Sequence, residues 1–248
     1  MSGRAAAVKH RLVRDTRMTP VLRGIPFMKS VTEETIRLTD QQREMLISIA
    51  LRLQLPARSL LYREGTEAEF VYIVNEGLVR SFRHLANGKR VVCAFLYPRD
   101  LFGLAETGHY VNCSETVTRS TLYRLSMRQL ATLLKQDGHL QFHFLTKVTH
   151  ELRESQKRAV VISRRDAVGR LAMFIAMVGE RTDLRSIRDC TVPLPMLRSD
   201  IADYLGLSLE SVSRAARELE ERGLVRFEGR RAVRILQPER FGRLVTAV

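Results

Sequence analysis

Residues Leu194–Leu224 read LPMLRSDIADYLGLSLESVSRAARELEERGL, and this stretch decides the fold of the C-terminal part of the chain. Gly206 permits a tight turn between two short amphipathic segments, which predicts two helices packed at a steep angle. Ser208 is placed to cap the second helix and Gly223 to end it. Apolar stripes at helical spacing lie at Ile201, Ala202 and Leu205 before the turn and at Val212, Ala216 and Leu219 after it. The stretch therefore predicts a helix-turn-helix.

The second helix has a polar face opposite its apolar stripe, formed by Glu210, Ser213, Arg214 and Arg217. All four side chains can hydrogen-bond, and a helix with one buried face and one hydrogen-bonding face suits the major groove of DNA. The alternative is a helical hairpin on which Glu210 and Arg214, spaced i, i+4, form only a surface ion pair.

A two-stranded hairpin is predicted directly after this helix, in the run LVRFEGRRAVRIL at Leu224–Leu236. The residues expected to face inward are Val225, Phe227, Val233 and Ile235, and those expected to face outward are Arg226 and Arg234. Arg230 and Arg231 lie at the tip, where arginines suit backbone phosphates. A hairpin in this position is typical of a winged helix, although solvated arginines on an ordinary hairpin give the same pattern.

The chain of 248 residues has 41 Lys and Arg against 27 Asp and Glu, and its net charge of +14 favours a polyanionic partner or an anionic membrane surface. A hydrophobic fraction of 45% supports packed cores and excludes a disordered chain. No apolar run approaches the roughly 18–20 residues of a membrane span, and the first residues lack the apolar segment of a secretory signal. The three cysteines are scattered, so they predict neither disulfides nor a metal cluster. We therefore expect a cytoplasmic protein with no membrane partner.

The N-terminal half divides into two predicted segments. Residues 1–40 are basic and irregular and predict a tail, although Leu38-Thr39-Asp40 opens a helical stretch that runs through Ile49. Residues 41–136 form the second segment, in which short β-prone runs between turn signals from about residue 53 to 125 predict an antiparallel sandwich or barrel. The clearest apolar runs are Phe70–Val74, Val91–Leu96 and Thr116–Leu125. Asn87-Gly88, between Val79–Leu85 and Arg90–Phe95, is the strongest hairpin signal.

Residues 137–165 form the third segment, and residues 166–248 the fourth, the winged-helix domain. From about Gly138 to Arg164 the chain lacks proline and predicts one long helix. An apolar seam with alternating spacings of three and four residues consists of Leu145, Val148, Leu152, Ser155, Ala159 and Ile162. This seam predicts a homodimer, because the DNA-recognition helices of two subunits, called reading helices below, need a spacing set by a two-fold axis. The alternative is a helix packed on its own domain.

The order of these segments and several short motifs resemble the cyclic-AMP receptor/fumarate-nitrate regulator superfamily along nearly the whole chain. The motifs are Tyr62-Arg63-Glu64-Gly65, Val71-Tyr72-Ile73-Val74, Glu76-Gly77, Pro98-Arg99-Asp100-Leu101-Phe102-Gly103, Leu194-Pro195-Met196 and Asp200-Ile201-Ala202-Asp203-Tyr204-Leu205-Gly206-Leu207, followed by Glu210, Val212, Ser213 and Arg214. The C-terminal region looks like the FixK branch. The resemblance implies an α+β fold with an N-terminal antiparallel β-roll of the cyclic-nucleotide-binding, jelly-roll type, a long dimerisation helix and a C-terminal winged helix-turn-helix.

The E-x-x-S-R recognition motif of this family falls on Glu210, Ser213 and Arg214. The resemblance implies a palindromic DNA operator with TTGA-type half-sites. Glu210 can accept a hydrogen bond from cytosine N4, and Arg214 can fork onto guanine O6 and N7. Ser213 can contact a base or a thymine edge, and Leu209 and Arg217 flank the set.

Departures from the family pattern bear on cofactors. Oxygen-sensing relatives hold an iron–sulfur cluster with cysteines near the N-terminus, but no cysteine precedes Cys93 here. Cyclic-nucleotide-binding relatives place a Glu just after Phe-Gly and an Arg-Ser pair further on, whereas this chain has Leu104-Ala105-Glu106 and Asn112-Cys113-Ser114. We therefore expect no cofactor, neither an iron–sulfur cluster nor a cyclic nucleotide.

A haem- or redox-sensing regulator of the same fold is the alternative. His109 lies close to Cys113, and His139 and His143 share one helix face, although solvated or packing histidines are the favoured interpretation. Cys113 has no flanking Lys or Arg to activate its thiol. Cys93 stands in an apolar run and is expected to be a buried core residue.

The sequence thus predicts a bacterial, homodimeric transcription regulator that binds double-stranded DNA and acts on RNA polymerase, with no catalytic and no metal-binding residues. An effector would act by shifting the pose of the two reading helices, and control by abundance alone is equally compatible. A β-barrel enzyme would need a metal cluster or a nucleophile–base pair, and the β region offers only His84 and His109, without a partner at ligand spacing. A winged helix that docks proteins is a further rival, and the salt dependence of DNA binding would distinguish it.

Overall fold

The computed structural model describes residues 40–163, 166–182 and 190–246 of the chain. The predicted tail, residues 1–40, lies outside the described residues except for Asp40. The helices are α1 Asp40–Ser48, α2 Met127–Gln136, α3 Gly138–Ser163, α4 Ala167–Arg181, α5 Arg198–Leu205, α6 Leu209–Glu221 and α7 Pro238–Thr246. The strands are β1 Ala50–Leu55, β2 Leu60–Tyr62, β3 Phe70–Glu76, β4 Val79–His84, β5 Arg90–Leu96, β6 Leu101–Phe102, β7 Cys113–Thr116, β8 Ser120–Ser126, β9 Thr191–Pro193, β10 Val225–Glu228 and β11 Ala232–Ile235.

Strands β1–β8 form a roll of two four-stranded antiparallel sheets. The order of strands is β1-β8-β3-β6 in one sheet and β2-β7-β4-β5 in the other. Side chains alternate across each strand, so every second residue can enter the space between the sheets. The buried residues there are Tyr72, Val74, Val79, Leu96, Phe102 and Leu122. The antiparallel β-roll expected from the sequence is confirmed.

The hairpin predicted at Asn87-Gly88 joins β4 to β5. Val79 at the start of β4 pairs with Leu96 at the end of β5. The N–H of Leu85 donates to the carbonyl oxygen of Lys89 at 2.8 Å and closes the turn. Gly88 lies at φ 77°, in the left-handed region that glycine enters without steric cost.

The apolar run Thr116–Leu125 does not form one strand. Strand β7 ends at Thr116 and β8 begins at Ser120, because the chain crosses there from one sheet of the roll to the other. Thr118 Oγ1 accepts a hydrogen bond from the N–H of Leu78 at 2.9 Å and holds the crossing in place. Hydropathy alone does not mark this change of sheet.

The long helix predicted from Gly138 to Arg164 is confirmed as α3, Gly138–Ser163. Asp137 lies directly before it, and its Oδ1 accepts from the N–H of Leu140 at 2.9 Å. That hydrogen bond is the main reason why the pKa of Asp137 lies below its usual value. Leu140 and Phe144 are buried in the same apolar cluster as Leu130 of α2, so the first turns of α3 belong to the core of the roll.

The C-terminal domain surrounds helix α4, whose buried residues include Leu171, Phe174 and Ile175. The helix-turn-helix is confirmed, with Gly206 at φ 64° between α5 and α6. The wing is confirmed as well, since Val225 pairs with Ile235 across β10 and β11. Strand β9 extends this small sheet, and helix α7 closes the core. Neither element is predicted from the sequence: β9 is only three residues long, and the amphipathic run at Pro238–Thr246 was not recognised as a helix.

Gly77 stands in the turn between β3 and β4, at φ 92°. A Cβ atom there would overlap Ser120 Oγ and lie 2.6 Å from the carbonyl oxygen of Arg119. We expect Gly77→Ala to lower the free energy of unfolding of the β-roll by about 2–4 kcal/mol, from strain at positive φ plus overpacking.

Urea denaturation followed by circular dichroism measures this change. Gly88→Ala is the matched control, because it has a similar φ of 77° but no atom within 4 Å of the added carbon, so it should cost only about 1 kcal/mol. Equal losses in the two variants would show that the close approach at Gly77 has no energetic weight.

Candidate nucleic-acid interface

Helix α6 presents the predicted reading face to solvent. Its opposite side is fixed by buried residues, Val212, Ala215, Ala216 and Leu219. Ser208 caps the helix, since its Oγ accepts from the N–H of Ser211 at 3.1 Å. The predicted reading residues lie together on the outer side, with Leu209, Glu210, Arg214 and Arg217 exposed and Ser213 half-buried. Burial of one face therefore sets which side chains are available to a ligand.

Glu210 and Arg214 hydrogen-bond to different partners. The pKa of Glu210 is lowered, first by the backbone N–H of its own residue and then by the hydroxyl of Ser208. Its carboxylate thus accepts hydrogen bonds at the start of α6, where backbone N–H groups lack partners within the helix. Arg214 Nη2 donates to Ser211 Oγ at 3.2 Å. Most donors of this guanidinium remain on the outer face.

Ser213 makes a bond inside the helix. Its hydroxyl donates to the carbonyl oxygen of Leu209, one turn earlier, at 2.9 Å. The oxygen keeps lone pairs with which it can accept a bond from an outside donor.

The wing carries its arginines at the tip, as predicted. Arg230 and Arg231 are exposed beside Gly229, which lies at φ 64°. Further down, Arg234 Nε donates to Glu228 Oε1 at 2.7 Å across the two strands. Arg230 and Arg231 are therefore placed as exposed cations on a short, turned hairpin.

Two contacts that the sequence analysis did not identify join the wing to the helix-turn-helix. Glu220 of α6 accepts from the N–H of Phe227 at 2.8 Å. Arg198, the first residue of α5, lies over the ring of Phe227 at 5.4 Å from its centroid. No local pattern marks either pair, because each joins two separate elements.

The predicted seam of α3 has its two leucines in exposed positions. Leu145 is 62% exposed and Leu152 58%, and at helical spacing they share one exposed face of α3 with Val148 between them. Of the remaining seam positions, Val148, Ser155 and Ala159 are exposed and Ile162 is half-buried. The contacts with its own chain are made by other residues of α3, such as Leu140, Phe144 and Val161.

The interior of the β-roll contains a cluster of aromatic rings. Tyr62 stacks on Tyr110 at 3.8 Å between centroids, and Tyr72 stacks on Phe102 at 5.3 Å. Burial raises the pKa of Tyr72 to about 12. The hydroxyl of Tyr110 donates to the carbonyl oxygen of Phe70 at 2.7 Å. Aromatic rings thus fill much of this interior, and the hydroxyl of Tyr110 is paired with the backbone.

The segment in which nucleotide-binding relatives carry an Arg-Ser pair, Asn112-Cys113-Ser114, has no guanidinium. Cys113 Sγ accepts from the N–H of Glu64 at 3.4 Å, and Ser114 is fully buried. A cavity of about 390 Å³ lies nearby, between the roll and the C-terminal domain. The arginine on its wall is Arg181, which pairs with Asp100.

The candidate histidines lie in two parts of the chain, His109 before β7 and the pair His139 and His143 one turn apart on α3. His109 is exposed and its Nδ1 lies 3.3 Å from the carbonyl oxygen of Thr107, and His139 is exposed on α3. Among the described residues, no three His, Cys, Asp or Glu side chains converge in a way that could hold a metal.

Cys93 is half-buried rather than buried in the core, which corrects the expectation from the sequence. Val92, one position earlier, takes the core side of β5 and is fully buried, so alternation turns Cys93 the other way. Its Sγ lies 3.7 Å from Asn112 Oδ1, and burial raises the pKa of the thiol.

Comparisons with known proteins match both halves of the chain. Residues 52–137 match the model of the cyclic nucleotide-binding domain, and residues 169–244 match that of the Crp-like helix-turn-helix domain. The nitrogen fixation regulation protein FixK of Rhizobium meliloti is 33% identical over 185 residues, covering 74% of this chain and 82% of that protein. The transcriptional activatory protein AadR of Rhodopseudomonas palustris is 30% identical, covering 80% and 83%.

The solved structure of FixK2 from Bradyrhizobium japonicum superposes with a TM-score of 0.72 at 30% identity, covering 79% of this chain and 97% of that one. No helix in the described part of the chain is both long and apolar enough to cross a membrane.

Proposed function

The chain belongs to the cyclic-AMP receptor/fumarate-nitrate regulator (CRP/FNR) superfamily, in its FixK-like branch, and is a DNA-binding transcription regulator; on this premise we propose that it binds a palindromic operator with TTGA-type half-sites as a homodimer. The observation that carries the proposal is the exposed face of Glu210, Ser213 and Arg214 on a helix whose other side is buried. These residues form the E-x-x-S-R motif of the family.

Each reading residue is assigned a contact by its hydrogen-bonding groups. Arg214 forks onto guanine O6 and N7, and Glu210 accepts from cytosine N4. Ser213 contacts a base through the lone pairs that its bond to Leu209 leaves open. Arg217 and Leu209 flank this set, where they adjust base preference or contact the backbone.

The wing supplies contacts without sequence information. Arg230 and Arg231 are exposed cations at its tip, and we assign them to backbone phosphates on either side of the groove. The phosphate contacts fix the register of the protein on DNA, while α6 reads the bases.

The homodimer forms through α3, with Leu145, Val148, Leu152, Ser155, Ala159 and Ile162 at the two-fold axis. Support comes from the exposure of the two leucines on a helix that meets its own domain through other residues. Two paired reading heads match the two halves of a palindrome.

The regulator acts in the cytoplasm of a bacterium without a bound cofactor, and it activates genes by recruiting RNA polymerase, a partner proposed from the family. Activation is proposed because the relative AadR carries the name of an activatory protein. Binding without a cyclic nucleotide is supported by the missing guanidinium at Asn112-Cys113.

Replacing Arg214 and Arg230 separately tests the reading assignment. Arg214→Ala should lose operator preference, at about 1–3 kcal/mol per half-site, because a fork onto guanine carries sequence information. Arg230→Ala should weaken operator and random-sequence binding alike, because a phosphate contact does not distinguish bases. Fluorescence anisotropy with a TTGA-type operator duplex and a scrambled duplex measures, for each variant, the affinity for the operator and its ratio to the affinity for the scrambled sequence. If Arg214→Ala binds the operator like wild type, α6 is not the reading helix.

Replacing Leu152 with Asp tests the dimer. Two carboxylates near the two-fold axis would be buried without an opposite charge, so Leu152→Asp should shift the protein toward monomer and weaken operator binding. Leu145→Asp, nearer the start of α3, should act less strongly. His139→Asp is the control, since it adds an acid on α3 at an exposed position outside the seam. Sedimentation velocity at micromolar concentration gives the answer, and a dimeric Leu152→Asp protein would place the interface elsewhere.

Purified protein should be colourless, and its operator affinity should not respond to cyclic AMP. The first expectation rests on the described residues, among which no three His, Cys, Asp or Glu side chains converge, and the second rests on the missing guanidinium. An absorption spectrum and an operator titration with added cyclic AMP check them. A stoichiometric Soret band in protein prepared with its native cofactors would instead establish the haem-sensing alternative, and a nucleotide-dependent rise in affinity would contradict the second.

A further inference from the structure

Asp200 is a charged side chain buried where the helix-turn-helix meets the β-roll. The residue lies in the first turn of α5 and is 0% exposed. Its Oδ2 accepts from the N–H of Leu197 at 3.3 Å, which satisfies a free N–H at the start of the helix. Its Oδ1 accepts two bonds from the roll, from Arg80 Nη1 at 2.5 Å and Arg90 Nη2 at 2.6 Å. Since a buried carboxylate is costly without cationic partners, α5 is stable in this place only against the roll.

Further ion pairs extend this contact on both sides. Arg90 Nε donates to Asp203 Oδ2 at 2.8 Å, on the next turn of α5. Arg80 Nη2 donates to Glu115 Oε1 at 3.0 Å, which fixes this arginine from within the roll. We call these five residues the Asp200 cluster. Two arginines and three carboxylates alternate in it, so each guanidinium meets two acids.

Aromatic rings support the Asp200 cluster from the roll and from α5. Both guanidinium groups lie over the ring of Phe82, at 5.7 and 5.9 Å from its centroid. Tyr204 of α5 packs against Phe95 of the roll at 5.4 Å between ring centroids. Arg158 of α3 also lies over Tyr204, at 5.1 Å. The roll and the long helix therefore both hold the first helix of the helix-turn-helix.

The reading face stays open in this arrangement. The roll contacts α5, whereas Glu210, Arg214 and Arg217 of α6 remain exposed. The contact thus fixes the orientation of the reading head without covering the surface that meets DNA.

We propose that Asp200 is a positioning residue for DNA reading: the Asp200 cluster holds the helix-turn-helix on the β-roll in the orientation in which α6 enters the groove. This inference rests on the proposed function and deepens it, because it gives the β-roll a role as a support that needs no ligand. In a dimer both heads must be in the reading pose, so the loss of affinity is the product of the losses at the two heads. If loss of the cluster lowers the fraction of heads in the reading pose to about one third, operator affinity falls by about tenfold.

A double-mutant cycle on the full-length protein tests the proposal. Asp200→Asn, Arg80→Gln and the double variant are titrated with a TTGA-type operator duplex, and the expected loss is about tenfold for each single variant. The double variant should bind no more than about twofold weaker than the weaker single one, because both changes break the same contact. Asn at position 200 keeps an oxygen that accepts from Leu197, so the start of α5 is preserved.

Arg83→Gln is the matched control for charge. Arg83 lies on the same strand as Arg80 but pairs with Glu64 on the surface of the roll, so the variant loses one positive charge without touching α5. It should bind within about twofold of wild type. Arg90→Lys keeps the charge but loses the fork onto Asp200 and Asp203, so its loss should be intermediate and its fold undisturbed.

Hydrogen exchange without DNA provides a readout that does not depend on the operator. The amides of α5 should exchange faster in Arg80→Gln and Arg90→Lys, although neither change lies in the C-terminal domain, while those of β10 and β11 stay unchanged. If wild type fails to bind the operator, the proposed function fails, and the exchange data still test the Asp200 cluster. Losses of affinity that simply add, or unaltered α5 exchange in both arginine variants, would overturn the proposal.

Discussion

The burial of α6 against α4 is the constraint on which the reading surface depends. Leu171, Phe174 and Ile175 of α4 form the centre of the C-terminal core, and Val212 and Leu219 of α6 lie in the same core. Each fully buried apolar side chain contributes roughly 1.5–3 kcal/mol, whereas an exposed ion pair contributes about 0–1 kcal/mol. Apolar burial therefore sets the rotation of α6 about its own axis, and the polar residues on its outer side stay accessible to DNA.

The parts of the fold that could be predicted are those encoded by local spacing. The stripe that ends at Leu219, the turn at Gly206 and the cap at Ser208 lie within a few residues of each other, so the helix-turn-helix follows from the sequence. The wing follows from strand alternation in the same way. Strand β9 could not be predicted, because its place is set by pairing with β11, which is distant in the chain. Helix α7 was missed although Pro238 at its first position and the apolar spacing of Phe241 and Val245 signal a helix. Cys93 was misplaced because an apolar run does not reveal which of two neighbours faces the core.

The candidate site divides along the same line. Glu210, Ser213 and Arg214 were found from their spacing on one helix, and the structure brings them to one exposed face. The bond between Glu220 and Phe227 and the pairing of Arg80 with Asp200 could not be found, since the latter partners are 120 residues apart in the chain. Charged residues in such long-range contacts look in the sequence like any solvated surface residue. Which bases are read and which surface pairs two subunits remain predictions from the sequence.

The turn at Gly77 has a consequence for how this chain can diverge. Every amino acid other than glycine carries a Cβ atom, and every missense change within one base of a glycine codon introduces one. Each such change would push that atom into Ser120 and the backbone of Arg119, where the chain passes between the two sheets of the roll. No substitution at this position is therefore expected to leave the stability of the roll unchanged. Substitution is expected to cost less at an open turn such as Gly88 than at the link between β3 and β4.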